Sequence, residues 1–173
     1  MKTDVHQLAL CAVLAALALA LSYLESFFPI ALLVPLPGIK LGLANIVTVF
    51  ALYYLGALPA LSILLVRCFL GAIFAGNASA LIFSLMGGLL AMLLMIALHR
   101  IRLFSIYGVS IAGAAGHQIG QVGAAILTLG STAPLAYLPL LLLVSIGTGA
   151  LTGLIASLLF SAMDKTKRIE SAF

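Results

Sequence analysis

A few residues of this sequence carry chemistry that their surroundings do not explain. Arg67 sits in the middle of a long apolar run, Lys40 and Asn45 flank the stretch Leu41-Gly42-Leu43-Ala44, and Asn77 follows Gly76. His117, Gln118 and Gln121 fall together in a segment otherwise made of glycine, alanine and aliphatic residues. His117 and Gln121 are four apart, so a helix carries both on one face with Gln118 beside them. An arginine fork matches the paired oxygens of phosphate or carboxylate, and lysine adds a compact point charge. Lys40 and Arg67, joined by His117 when protonated, outweigh Glu25. The chemistry expected of such a set is the capture of an anion, with Asn45, Asn77, His117, Gln118 and Gln121 adding hydrogen bonds.

Each of these residues also has a structural use. Arg67 could pair with Glu25 or with helix carbonyls to fix packing, and Lys40 could anchor a helix start at the membrane edge, where lysine is ordinary. Asn77 suits a turn, and Asn45 could bond across to a neighbouring helix. Three polar side chains in two turns at 117–121 exceed what packing needs, so that group is expected to line a pocket. His6 and His99 lie beside other polar residues at helix edges and are read as solvated. Cys11 and Cys68 both lie in apolar runs and are expected to pack as small hydrophobes, with no metal or disulfide role.

The elements that position these residues follow from composition. The 173 residues include 8 Lys or Arg and 4 Asp or Glu, and 65% are hydrophobic. A water-soluble domain, in which about a quarter of residues are charged, could not cover its surface with so few. Helices rising 1.5 Å per residue need about 20 apolar residues to cross about 30 Å of hydrocarbon. Six such runs occur, at about 5–24, 41–57, 60–76, 79–98, 104–130 and 136–162. The alternation of a membrane β-barrel is absent. The expected fold is an all-α integral membrane protein, a six-transmembrane-helix bundle forming a single domain over 1–173. The first run is too long for a signal peptide and is read as a retained helix.

Six spans place both termini on one side, with Lys2, Arg100, Arg102, Lys165, Lys167 and Arg168; the other side holds Lys40 and Glu25. The positive-inside rule then puts both termini in the cytoplasm of a cell membrane. The net charge of +4 reads as topology and attraction to anionic lipid. Nucleic-acid binding is not expected, because no basic face is interleaved with aromatics. In this arrangement Arg67 lies seven residues into the third run, about 10 Å from its start.

Small residues form a second pattern. Ala12, Ala16 and Ala20 recur every four residues in the first run, Gly108, Ala112, Gly116, Gly120 and Ala124 in the fifth, and Gly149 and Gly153 in the sixth. Such ridges let helices approach closely. Internal packing is the default reading, and a partner protein is the sharper alternative for the first helix.

Two stretches carry a family resemblance: Pro37-Gly38-Ile39-Lys40-Leu41-Gly42-Leu43-Ala44-Asn45-Ile46 and Gly113-Ala114-Ala115-Gly116-His117-Gln118-Ile119-Gly120-Gln121. With them the chain, over almost its whole length, resembles the heptaprenyl diphosphate synthase component I family, also called Gx transporter proteins. That family is in turn similar to the S components of energy-coupling factor transporters. The resemblance implies an S-component-like bundle that captures a vitamin or precursor outside, beside a transmembrane coupling subunit and ATPases. It also implies that Ala12, Ala16 and Ala20 dock the coupling subunit.

The enzyme label and the transporter label ask different things of the sequence. Prenyl diphosphate synthases hold magnesium on aspartate-rich motifs, whereas the two aspartates here, Asp4 and Asp164, lie near opposite ends. His117 has no acidic neighbour in sequence, and no GxxxxGK[ST] run is present to bind a nucleotide. No enzyme activity and no cofactor are expected. The expectation is a binder of a small anionic vitamin-like or isoprenoid- or quinone-precursor-like molecule, closed by the Pro-rich loop after Glu25 and energised by another protein. The alternatives are a non-catalytic accessory subunit of heptaprenyl diphosphate synthesis and a purely structural subunit.

Overall fold

The computed structural model describes residues 5–27, 39–101 and 103–170, of which 164–170 by backbone alone. The Pro-rich loop expected to close a pocket lies largely outside them. The elements are α1 (Val5–Glu25), α2 (Asn45–Tyr54), α3 (Ala57–Ala75), α4 (Ala78–Arg100), α5 (Ile106–Leu129), a 3-10 turn (Ala133–Tyr137) and α6 (Leu138–Glu170). No strand occurs among the described residues.

Local chemistry sets the boundaries. Asn77 Oδ1 accepts the Ser79 N–H at 2.8 Å and Ser105 Oγ accepts that of Gly108 at 3.3 Å, capping α4 and α5. These side chains satisfy N–H groups that a helix start leaves unpaired. Gly76 and Gly130 end α3 and α5 in the left-handed conformation, which glycine adopts without a Cβ penalty.

Among the described residues, four helical stretches are long and apolar enough to cross a membrane: α1, α3, α4 and Ala133–Met163. The remaining two helices depart from the six-span expectation for different reasons. α5 has 24 residues, about 36 Å of helix, but His117, Gln118, Gln121 and its glycines dilute its apolar character. α2 has only 10 residues, about 15 Å, which is half the hydrocarbon thickness.

The helix expected over 41–57 begins late because Gly42 has φ +89°, a value a right-handed helix cannot contain. It stops at Tyr54, where the N–H groups of Leu55 and Gly56 both reach back to the Ala51 carbonyl, at 2.8 and 3.1 Å. α3 starts at Ala57 rather than residue 60. Arg67 is therefore about 15 Å from the helix start, at its middle, rather than about 10 Å.

The short α2 is the centre of the bundle. Each of the other five α-helices touches it, and Asn45 through Leu52 are all buried. α5 lies between α4 and α6 at separations that only glycine allows. A Cβ on Gly120 would stand 2.3 Å from the Met86 carbonyl oxygen, and one on Gly149 2.5 Å from Ile111 Cα. Gly116 faces α4 and Gly153 faces α5 in the same way. Gly108, expected in the same ridge, meets only Phe104 and Ser105. Among the described elements, α1 touches α2 and α3 alone, and Ala12, Ala16 and Ala20 are exposed.

Gly120→Ala is expected to destabilise the protein by about 1–3 kcal/mol, because backbone must move to admit the methyl group. Gly147→Ala, where a Cβ meets nothing within 4 Å, should cost nothing. Reversible unfolding in mixed micelles compares the two, and equal costs would remove the close-contact account of α4 and α5.

Candidate functional site

Between α1 and α2 the chain enters the packed interior without helical structure. Residues 39–44 are non-helical, yet Ile39, Gly42 and Ala44 are buried. Helices satisfy their backbone internally; an irregular segment at membrane depth must find partners on its neighbours. Here those partners are the polar residues singled out in α5, together with the carboxylate that ends α1.

Gln121 Oε1 accepts the Lys40 N–H at 3.0 Å, and Gln118 Nε2 donates to the Lys40 carbonyl at 3.1 Å. Both glutamines have 0% exposure, so neither has water as an alternative partner. One turn of α5 thus presents a donor and an acceptor to a single residue of the segment, as a paired strand would. On the other flank Glu25 Oε1 accepts the N–H of Gly42, with that of Leu43 beside it. The carboxylate stands where the Gly42–Asn45 and Leu43–Ile46 turns lead into α2, at the positive end of the helix dipole.

Behind the clamp, the Gln121 Nε2 amide lies 3.0 Å from His117 Nε2. Since the amide nitrogen can only donate, His117 Nε2 accepts, and the ring proton of a neutral imidazole sits on Nδ1. Nδ1 lies against the Gly87 backbone. His117 is therefore a neutral link in the network and adds no positive charge. Gly42 and Gly87 pack on opposite sides of this ring; a Cβ on either would come within about 3 Å of it.

Arg67 is buried, with 7% exposure. It does not form the pair with Glu25 that is the structural alternative to ligand binding: its Nη2 donates to Asn45 Oδ1 at 3.4 Å, and its Nε has no partner. Asn45 Nδ2, Thr48 Oγ1 and Gln118 Oε1 are also buried without a partner. The charges of Glu25, Lys40 and Arg67 act on one another through this interior. One carboxylate faces two cations.

Lys40 projects away from the clamp. Its Nζ donates to Ser22 Oγ at 3.2 Å, which leaves ammonium protons for another acceptor. It lies at the edge of a cavity of about 560 Å³ between the C-terminal parts of α1 and α3. Ala16, Leu19, Ala20, Gly71 and Phe74 give the cavity its apolar wall, and Ser22 and Ser26 stand with Lys40 on its polar side.

The structure thus joins Lys40, Asn45, Arg67, His117, Gln118 and Gln121 in one network, but only Lys40 lines the cavity. Asn77 stands apart, exposed, as the α4 cap. Ala16 and Ala20, expected to form a docking ridge with Ala12, are also part of the cavity wall. Ser22, Ser26 and Gly71 were not singled out in the sequence, although Ser22 and Ser26 are four apart and would share a helix face.

The model of the heptaprenyl diphosphate synthase component I family matches residues 14–159. The chain belongs to that family. No curated protein and no solved structure matches it. The matched stretch in this component I protein runs from α1 into α6 and includes the cavity wall, the 39–44 segment and the α5 clamp. Its span-length apolar helices mark a membrane protein.

Gln118→Leu is expected to leave the Lys40 carbonyl buried and unpaired, at a cost of about 1–3 kcal/mol. The matching readout is faster amide hydrogen exchange over residues 40–43, with α6 unaffected. Unchanged exchange there would mean that the clamp does not hold the segment.

Proposed function

We propose that this component I protein is a membrane-embedded binding subunit for a small anionic molecule and acts, like an S component, in its uptake. The observation that carries the reading is Lys40: its backbone is clamped by two buried glutamines while its ammonium group borders an apolar cavity. Arg67 stands deeper with a single long hydrogen bond to a neutral amide. With Glu25 as the one carboxylate among them, the interior has an excess of positive charge that an anion would balance. Burying an unpaired charge costs several kcal/mol, so a ligand that supplied the missing charge would gain part of that energy. A phosphate or carboxylate with an apolar body fits the cavity lining, as a vitamin-like or isoprenoid- or quinone-precursor-like molecule would.

In this reading all six helices belong to the membrane bundle, with α2 and the 39–44 segment together filling one crossing. Both termini lie in the cytoplasm, in keeping with the basic residues at Arg100 and in the last turns of α6. A separate transmembrane coupling subunit with ATPases provides the energy and docks on the exposed Ala12, Ala16 and Ala20 face of α1; because Ala16 and Ala20 also wall the cavity, docking follows ligand entry and closes the cavity. Mechanistically, the anion replaces Ser22 as the partner of Lys40 Nζ, and Asn45 and Arg67 stabilise the charge from behind. His117, Gln118 and Gln121 act by holding Lys40 in place.

The family description favours a second reading, a non-catalytic accessory subunit in heptaprenyl diphosphate synthesis. The two separate cleanly. In lipid nanodiscs, Lys40→Gln should lower affinity for the anion that co-purifies with the native chain at least tenfold, with the thermal unfolding midpoint preserved. Native affinity in that variant would remove Lys40 from the site. A chain that binds no small molecule but raises the turnover of a soluble prenyl diphosphate synthase would establish the accessory role instead.

A further inference from the structure

Ala16, Ala20, Tyr23, Phe74 and Ala75, which line the cavity beside Lys40, are all exposed, so the cavity opens on the outer surface of α1 and α3. Its walls are the flanks of α1 and α3, two of the span-length helices. The residues at its rim are exposed: Tyr23 at 65% and Phe74 at 73%. Such aromatic exposure on a span-length apolar helix places these rings against hydrocarbon or its interface. Along α1 the lining runs from Ala16 to Tyr23, about 10 Å of helix, and continues to Ser26 just past the helix end. Apolar side chains occupy the Ala16 part of that length, and Ser22, Ser26 and Lys40 the other. The cavity is long, apolar over most of its length and cationic near one end, with a volume in the range of small-molecule sites.

We propose that this groove takes a single-chain amphiphile with an anionic head, admitted laterally from the bilayer between α1 and α3. The inference rests on the reading that Lys40 captures an anion and adds to it the shape and origin of the ligand. The head accepts from Lys40 Nζ in place of Ser22 Oγ, which frees the Ser22 hydroxyl to donate to it, whereas the Ser26 hydroxyl is held by the Tyr23 carbonyl at 2.6 Å. The chain lies against Ala16, Leu19, Ala20 and Gly71. Gly71 is what leaves room for it: a Cβ there makes only ordinary contact with Leu19 Cδ1, at 3.5 Å, so a larger side chain can be built into the groove without displacing backbone. A lateral mouth suits a molecule already dissolved in the membrane, because its chain never has to cross water.

The test uses the full chain in nanodiscs with three probes: dodecyl phosphate, dodecanol and methyl phosphate. Dodecyl phosphate should bind at least tenfold more tightly than dodecanol. Gly71→Leu and Ala20→Phe, which fill the groove from opposite walls, should each weaken dodecyl phosphate at least tenfold and leave methyl phosphate within twofold. Lys40→Gln should weaken both phosphates. Native dodecyl phosphate affinity in both filling variants, with methyl phosphate still dependent on Lys40, overturns the groove and leaves the anion-binding reading intact. Phosphate binding indifferent to Lys40 overturns that reading itself. A co-purified two-chain phospholipid that dodecyl phosphate cannot displace also overturns the single-chain proposal.

Discussion

The structure depends on making a stretch of non-helical backbone tolerable in the interior of a membrane protein. Residues 39–44 cannot pair within themselves, and the hydrocarbon around the bundle offers no water to replace the missing bonds. Their polar groups go to Gln118 and Gln121 on one side and to Glu25 on the other. Each of these three side chains is itself unwelcome in an apolar helix, so the segment and its partners justify one another. Remove either and the other becomes an unpaired buried group, costing more than the hydrogen bond it had supplied.

This requirement explains features that otherwise look unrelated. The clamp works only if α5 brings its glutamines close to the segment, and α5 is drawn in by glycine contacts with α4 and α6. His117 fits beside Gln121 because Gly42 and Gly87 leave space for its ring. α2 begins where the clamp ends, and its ten residues complete the crossing that the irregular segment starts. The central position of so short a helix follows: a segment needing partners on several helices has to be surrounded by them.

Much of this was legible in the sequence and some was not, for physical reasons. Apolar runs located α3, α4 and the core of α6 to within a few residues, since hydrocarbon thickness dictates their length. The polar residues were legible as a group, because amides and an arginine stand out against an aliphatic background. Their roles were less so. Hydropathy cannot distinguish Gln121 bonded to a ligand from Gln121 bonded to main chain, and a run such as 41–57 reads as a helix when its breaks are the positive φ of Gly42 and of Gly56. Glu25 was read as a helix end near the surface, yet it is 2% exposed and caps the turn into α2. The cavity was the least legible part, for it is built from small residues on two helices distant in sequence, and small residues equally suit close packing.

Arg67 shows why an apolar protein keeps so few charges and places them together. A lone guanidinium at the middle of a span would be costly, whereas one that shares its surroundings with Glu25 and Lys40 is partly balanced. The balance is incomplete by one positive charge, and Asn45, a neutral acceptor at 3.4 Å, does not complete it. Replacing Asn45 by aspartate would neutralise the group internally and make the bundle more stable, but it would also remove the attraction for any external anion. A neutral amide at that position leaves the charge unbalanced within the chain, as the proposed capture of an anion through Lys40 requires. Under the proposed anion-binding reading, stability is given up there for the ability to bind, which is the usual relation between a functional site and the fold that carries it.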